Sequence, residues 1–319
     1  MTFDSKESGY PSSVRTPLPT AVVPSDNPPL NSHSFIAGST SAQIQEKLSR
    51  EVQGVIEKHF KTDHHYCFLS IYATKRSISP EDADQVFRAL QAENPEKTKD
   101  ILLFLVSDGG YIEPAYQIAK LCKAYSHRSF QVTIPRRAKS AATLVAIGAD
   151  RIHMGPLSEL GPIDPQLDGS PALGVRRSLE IIASICDKYP NSSRLFCEYF
   201  QDQLPIEQIG YCDRISESAV QYAERLLKKR PQIPEGSIRQ TAEQLVYEYK
   251  DHGFVIDVEE AQTRLGSSWV VADTPEAKFA EDIYQLLSGL NVMLHAIKNE
   301  KLSVVGSLLK DSIVRAEKE

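Results

Sequence analysis

Hydrophobic residues along this chain change their spacing several times, and each change predicts an element. Residues 1–34 carry almost no periodicity and are rich in Pro, Ser and Thr, which reads as a disordered arm or a strap laid over a neighbour. From about residue 40, Ile44, Leu48, Val52, Val55 and Ile56 recur at helical spacing. "CFLSIYA" (67–73) is apolar, bounded by polar residues, and predicts a buried strand. "SPEDADQVFRALQAE" (79–93) starts with Ser79 as a cap, Pro80 just inside and acids in the first turn, the signature of a helix start. "DILLFLV" (100–106) is a continuous apolar run of strand length, as expected of a strand buried on both faces. After "SDGG" a helical stripe follows through Ile112, Ala115, Tyr116, Ala119 and Cys122. "SFQVTIP" (129–135) predicts a strand, an apolar helix follows from Ser140, and "DRIHMG" (150–155) predicts a short strand. Strands alternating with helices imply crossover units, so the fold class is α/β with a mostly parallel sheet.

The second half is patterned differently. "GPLSELGPIDPQLDGSPALG" (155–174) is long and rich in Gly and Pro, and a loop of that length is usually functional or holds an interface. Residues 175–230 are long and mixed in pattern, within a second half that is nearly all helical; "SIRQTAEQLVYEYKDHG" (237–253) predicts a helix ended by Gly253, and "DVEEAQTRLG" (257–266) a short one ended by Gly266. "WVVA" reads as a small strand. A last helix opens with Thr274 and Pro275, and Phe279, Ile283, Leu286, Leu290, Met293 and Ile297 form a stripe that must pack on its own domain or on another subunit. The expected division is an arm (1–34), one domain (35–273) and a helical extension (274–319) that could serve oligomerisation. No internal repeat is visible.

Composition narrows the class without changing the pattern. The chain has 319 residues, 41% hydrophobic and 24% charged, which suits a globular protein able to bury a large core. A net charge of −6 argues against general nucleic-acid binding. Five cysteines, an odd number with no CxxC spacing, point to a reducing compartment. No run approaches the roughly 18 apolar residues of a membrane span, and the N-terminus has no apolar signal region. A cytoplasmic protein is expected, with membrane association only through a partner.

Two places invite chemistry. Gly109 and Gly110 follow a buried strand and precede a helix; they are either a plain turn or a cradle of backbone N–H groups, such as a phosphate nest or an oxyanion hole. No GxGxxG or GxxxxGK[ST] supports the phosphate reading. Ser140 opens an apolar helix after Arg136, Arg137 and Lys139; it is either a helix N-cap or a nucleophile. Both segments follow strands whose carboxyl ends share one edge of a parallel sheet, where ligand crevices form. The three cations are a solvated turn, a site for a substrate carboxylate (Arg137, Lys139) or a site for a phosphate such as that of coenzyme A.

The run "LLFLVSDGGYIEPAYQIAKLCKAY…SFQVTIPRRAKSAATLVAIGADRIHMGPLSELGPIDPQL" resembles the Clp-protease/crotonase-like superfamily, and within it the serine dehydrogenase proteinase (SDH_sah) family. The strong likeness covers about residues 66–170, and 247–266 is similar to the family's C-terminal region. The resemblance implies a ClpP/crotonase-like spiral of mostly parallel strands and helices with a helical C-terminal extension. It implies a serine peptidase with Ser140 as nucleophile, Gly109 and Gly110 at the oxyanion hole, a peptide or protein substrate and no cofactor. It also implies a homo-oligomer, a trimer or larger.

The general base is open at this stage. The Clp protease proteolytic subunit has a histidine about 25 residues after its serine; here the matching segment is "GPIDPQ", which offers Asp164 and no histidine. Asp164 orients a base or shapes a turn before Pro165. His252 completes a triad or faces a helix C-terminus. His153 sits on a strand as a core residue. Lys139 is adjacent to Ser140 and points elsewhere, and Lys188 offers a weakly supported dyad. Asp63, His64 and His65 lack further ligands and read as a solvated strand entry, not a metal site. Three functions compete: a ClpP-like peptidase, an acyl-CoA enzyme of crotonase type, and a non-catalytic scaffold.

Overall fold

The computed structural model describes residues 29–60, 66–74, 76–167, 170–203, 206–228, 230, 233–309 and 317–318. Most of the expected arm, and Asp63, His64 and His65, lie outside them. Capping sets the first helices. Ser32 opens α1 (His33–Gly38), and a Thr40/Gln43 capping box opens α2 (Ser41–His59). Strand β1 (Tyr66–Ala73) follows, then α3 (Pro80–Glu93), β2 (Asp100–Ser107), α4 (Ile112–Tyr125) and β3 (Phe130–Ile134). The two-residue β4 (Arg137–Ala138) leads into α5 (Ala141–Ile147), and β5 (Arg151–Met154) closes the run of crossovers. Strands β1, β2, β3 and β5 lie side by side in chain order and pair in parallel.

The apolar runs predict this directly. Alternate residues of β2 go to opposite faces: Ile101, Leu103 and Leu105 pack with α3, α4 and α5, while Leu102, Phe104 and Val106 pack with the far side. The long loop after β5 holds the short strands β6 (Glu159–Leu160), β7 (Gln166–Leu167) and β8 (Ser170–Pro171). Helices α6 (Ala172–Lys188), α7 (Ser193–Gln203) and α8 (Ile206–Leu227) follow, and α8 lays Ala219, Val220 and Ala223 into the same core as α4 and α5.

Two expectations about the second half change. The helix expected over 237–253 ends early. It runs as α9 (Ile238–Glu243), widens into a π-helical turn (Gln244–Glu248) and turns extended at Tyr249. The Leu245 carbonyl accepts the Ile163 N–H at 2.8 Å, so the helix end is used to hold the long loop, and Gly253 is not its cap. The C-terminal part is no appendage either. After α10 (Val258–Leu265) and β9 (Val270–Ala272), α11 (Pro275–Lys298) buries Phe279, Ile283, Leu287, Leu290 and Leu294 against Phe68, Phe104 and α2 on the far face of the sheet. β10 (Glu300–Lys301) then leads into β11 (Ser303–Ser307), which pairs antiparallel with β1 as the sheet's edge. The stripe on α11 is the cover of its own domain, so residues 274–309 belong to the fold instead of extending it. Among the described residues no helix is long and apolar enough to cross a membrane.

Candidate active site

A row of residue pairs on a short branch of the main sheet brings four distant segments together. Ser107 pairs with Ala138, Ala138 with Leu160, and Leu160 with Ile256. Each lies within four residues of a polar or glycine position: Gly109 and Gly110, Ser140, Asp164 and His252. The Thr143 hydroxyl on α5 braces the row from below, lying 2.7 Å from both the Ala138 and Gly161 carbonyls and accepting the Gly161 N–H at 3.2 Å. A cleft of about 490 Å³ opens over the row, lined by Gly109, Gly110, Ser140, Gln166 and His252 and walled by α8 at Tyr211.

Ser140 turns the chain from β4 into α5 with φ +51° and ψ −119°, a region that a side chain adopts at a cost of order 1–3 kcal/mol. A sharp strand-to-helix turn of this kind pushes the side chain out of the backbone's way. Ser140 precedes the helix, yet its hydroxyl accepts no helix N–H, so the cap reading fails. Gly109, at φ +109°, allows the close approach: a Cβ there would stand 2.8 Å from the Ser140 Cβ and 3.3 Å from the Ala141 N. Gly110 is tighter still, since its Cβ would meet the Ile78 N at 2.2 Å. The Gly109 N–H donates to the Ser107 Oγ at 3.1 Å. Among the described residues, the N–H groups of Gly110 and Ala141 have no acceptor. Ala141 is a candidate that sequence reading missed; its signal was only its place directly after the serine.

Asp164 is buried and its Oδ1 has no hydrogen-bond partner among the described residues. Its Oδ2 lies 3.6 Å from the His252 Nδ1. Beside the pair, the Gln166 side chain touches both, its Nε2 3.1 Å from Asp164 Oδ2 and 3.0 Å from His252 Nδ1. His252 is on a turn closed by Asp251, whose carbonyl accepts the Phe254 N–H at 3.0 Å, and not at a helix C-terminus as one reading had it. Lys139 fixes that turn. Its buried ammonium donates to the Phe254 carbonyl at 3.0 Å and the Gly253 carbonyl at 3.4 Å, and pairs with Glu159 at 3.0 Å. Lys139 therefore anchors the histidine loop and does not reach into the cleft for substrate.

The other cations are likewise committed. Arg137 forms a fork with Asp108, whose hydrogen bond holds the guanidinium pKa above its ordinary value against the effect of burial. Arg136 grips Glu281 of α11 at 2.5 and 2.8 Å and stacks 4.2 Å from the Tyr284 ring centre. Lys188 is exposed at the end of α6, over Tyr189, and does not line the cleft. His153 is a core residue, bonded to Thr274 at 2.8 Å and Gln131 at 2.7 Å. Burial pushes its imidazole down to about 4, with Glu276 opposing, so it is neutral at pH 7.

Parallel crossover strands in sequential order, a glycine pair after one and a strained serine after the next make this an α/β protein with the arrangement that the ClpP/crotonase-like resemblance implies. Residues 37–188 match the model of the ClpP-like SDH-type serine proteinase family, which bears out the resemblance carried by the motifs. His252 lies outside the matched segment. The uncharacterised proteins MJ0137 and MJ1495 of Methanocaldococcus jannaschii are 37% identical over 103 residues and 31% identical over 98. These alignments cover 32% and 31% of this chain, and the chain spans only about a third of either relative, 35% and 32%. Among solved structures, a serine-to-alanine mutant of the 1510-N membrane-bound stomatin-specific protease aligns with a TM-score of 0.43 at 16% identity, covering 72% of this chain and 85% of that one. ClpP1 from Listeria monocytogenes aligns with a TM-score of 0.40 at 17% identity, covering 71% and 99%.

Proposed function

We propose that this protein is a serine peptidase of ClpP-like type whose catalytic groups are Ser140, His252 and Asp164. One observation carries the reading: a strained serine with an uncapped hydroxyl shares its cleft with a histidine whose Nδ1 lies 3.6 Å from a buried carboxylate. In the acylation step the Ser140 oxygen bonds to the carbonyl carbon of the peptide and its proton passes to the His252 Nε2. Asp164 holds the imidazolium through its Nδ1–H. The carbonyl oxygen, now negative, is held by backbone N–H donors: Ala141, Gly110 and Gly109, the last shared with Ser107. Such donors are worth on the order of 3 kcal/mol each. The C–N bond then breaks as the imidazolium proton moves to the leaving amine, and water, deprotonated by the same imidazole, releases the acyl group and restores Ser140.

The acyl-CoA reading leaned on Arg136, Arg137 and Lys139, and all three are paired with carboxylates. The test is fluorophosphonate labelling of the full chain, read by intact mass. Wild type is expected to gain one adduct, and Ser140→Ala none. His252→Ala and Asp164→Asn are expected to slow labelling strongly, and Lys188→Ala to leave it unchanged. A folded wild type and a folded Gln166→Ala variant that both take no label sink the peptidase reading in favour of a non-catalytic scaffold. Assembly into a homo-oligomer of three or more copies belongs to the same reading and is measured by light scattering.

A further inference from the structure

Gln166 competes for the two atoms that a working triad would bond directly to each other. A serine–histidine–carboxylate relay needs the imidazole proton on Nδ1, donated to the carboxylate, so that Nε2 carries the lone pair that accepts the serine's proton. Here His252 Nδ1 is 3.6 Å from Asp164 Oδ2, beyond hydrogen-bond range, and Gln166 Nε2 lies within 3.1 Å of both. The amide orientation is set by its neighbours. Turned over, Gln166 would aim its carbonyl oxygen at the Asp164 carboxylate, acceptor against acceptor. With the NH2 group inward, one hydrogen goes to Asp164 and the other to His252 Nδ1. Nδ1 is then an acceptor, and the single proton of a neutral imidazole must sit on Nε2. That tautomer cannot take a proton from Ser140.

We propose, resting on the peptidase reading above, that Gln166 is a positioning residue that selects the idle tautomer of His252 and latches the triad until substrate displaces it. The parts for release are in place. Gln166 is exposed and lines the cleft, so anything bound over Ser140 meets its side chain. Its backbone stays fixed by the pairing with Pro171 and by the Ala172 N–H bonded to the Pro165 carbonyl at 2.9 Å, so a side-chain rotation is enough. The Oδ2 of Asp164 that Gln166 leaves is then open to an Nδ1–H donor. His252 needs only to close a gap of 3.6 Å to hydrogen-bond length.

The imidazole nitrogens report the latch directly. Full-length protein labelled with 15N-histidine, assigned by loss of the His252 signals in His252→Ala, is examined at a pH where the ring shifts no longer respond to added base. In wild type the His252 Nδ1 is expected at the shift of an unprotonated nitrogen and Nε2 at that of a protonated one. In Gln166→Ala, and in Gln166→Leu, which keeps the bulk but not the donors, the two are expected to exchange. Labelling of Ser140 by fluorophosphonate should quicken about tenfold in both variants, the worth of one hydrogen bond in an equilibrium. A wild-type ring protonated mainly on Nδ1, or a Gln166→Leu ring that keeps the wild-type pattern, overturns the latch. An exchanged tautomer with no labelling in any variant keeps the latch and rejects the peptidase.

Discussion

Lys139→Met separates two roles for the cation next to the serine. In the structure its ammonium points away from Ser140 and holds the turn that carries His252, through the Phe254 and Gly253 carbonyls at 3.0 and 3.4 Å and Glu159 at 3.0 Å. A hydrogen bond to a charged group is worth about 1.5–3 kcal/mol, and only the shorter of the two carbonyl contacts has good geometry. Met fills the same volume, so the packing loss is small. Gly253 and Phe254 are exposed, so water can replace part of what is lost. The net cost should be about 2–3 kcal/mol, which for a domain of this size lowers the melting temperature by roughly 5 °C. Activity should suffer more than stability, because displacing a base by about 1 Å costs on the order of 100-fold. The assay pairs thermal unfolding and fluorophosphonate labelling with hydrogen exchange of the 251–256 segment. Slower labelling with faster exchange is the expected outcome. Unchanged labelling refutes the anchoring role; lost labelling with unaltered exchange would mean that Lys139 acts on Ser140 itself.

Thr143→Val removes a buried hydroxyl that bridges two carbonyls and is expected to destabilise by about 1–3 kcal/mol, seen in urea unfolding, and to slow labelling by loosening the loop before Asp164. Gly110→Ala places a methyl 2.2 Å from the Ile78 N, backbone that cannot yield, at φ +149°; a loss of about 3 kcal/mol and of labelling should follow, and a stable, fully labelled variant would contradict the packing described. Asp150 is pushed up by burial, yet hydrogen bonds from Lys123, the Phe130 N–H and Arg230 leave its carboxyl below the ordinary value. Its contribution is present above the unfolded pKa, about 3.9, and is lost as pH falls through the lower folded value. The melting difference between wild type and Asp150→Asn should therefore be full at pH 6 and shrink below pH 4; a difference independent of pH would refute the assignment.

The strands and helices of the first half were legible because each is written locally. "DILLFLV" has the length and unbroken apolarity of a strand buried on both faces, and Ser79–Pro80 with acids behind them carry a helix-start signal. The helix over 237–253 misled because its apolar period continues past the point where the Leu245 carbonyl is taken by Ile163. The role of the α11 stripe was open for the same reason, since a stripe shows that something must cover it and not what does.

The site divides along the same line. Ser140, the glycine pair, Asp164 and His252 were all visible as residue types in a motif or at its margins. By itself the sequence determined the elements, their parallel order and the edge of the sheet where chemistry would collect, all consequences of periodicity and chain connectivity. Only the tertiary structure showed which histidine shares a cleft with Ser140 and which lysine braces the loop that carries it. That rests on the row Ser107–Ala138–Leu160–Ile256, whose widest single pair, Leu160 with Ile256, joins segments about 100 residues apart. It also rests on the direction of two side chains, Lys139 turned toward the histidine loop and Gln166 turned toward both acid and base. Backbone pairing across such separations and the facing of single side chains depend on how all the layers pack together, and no local pattern records them.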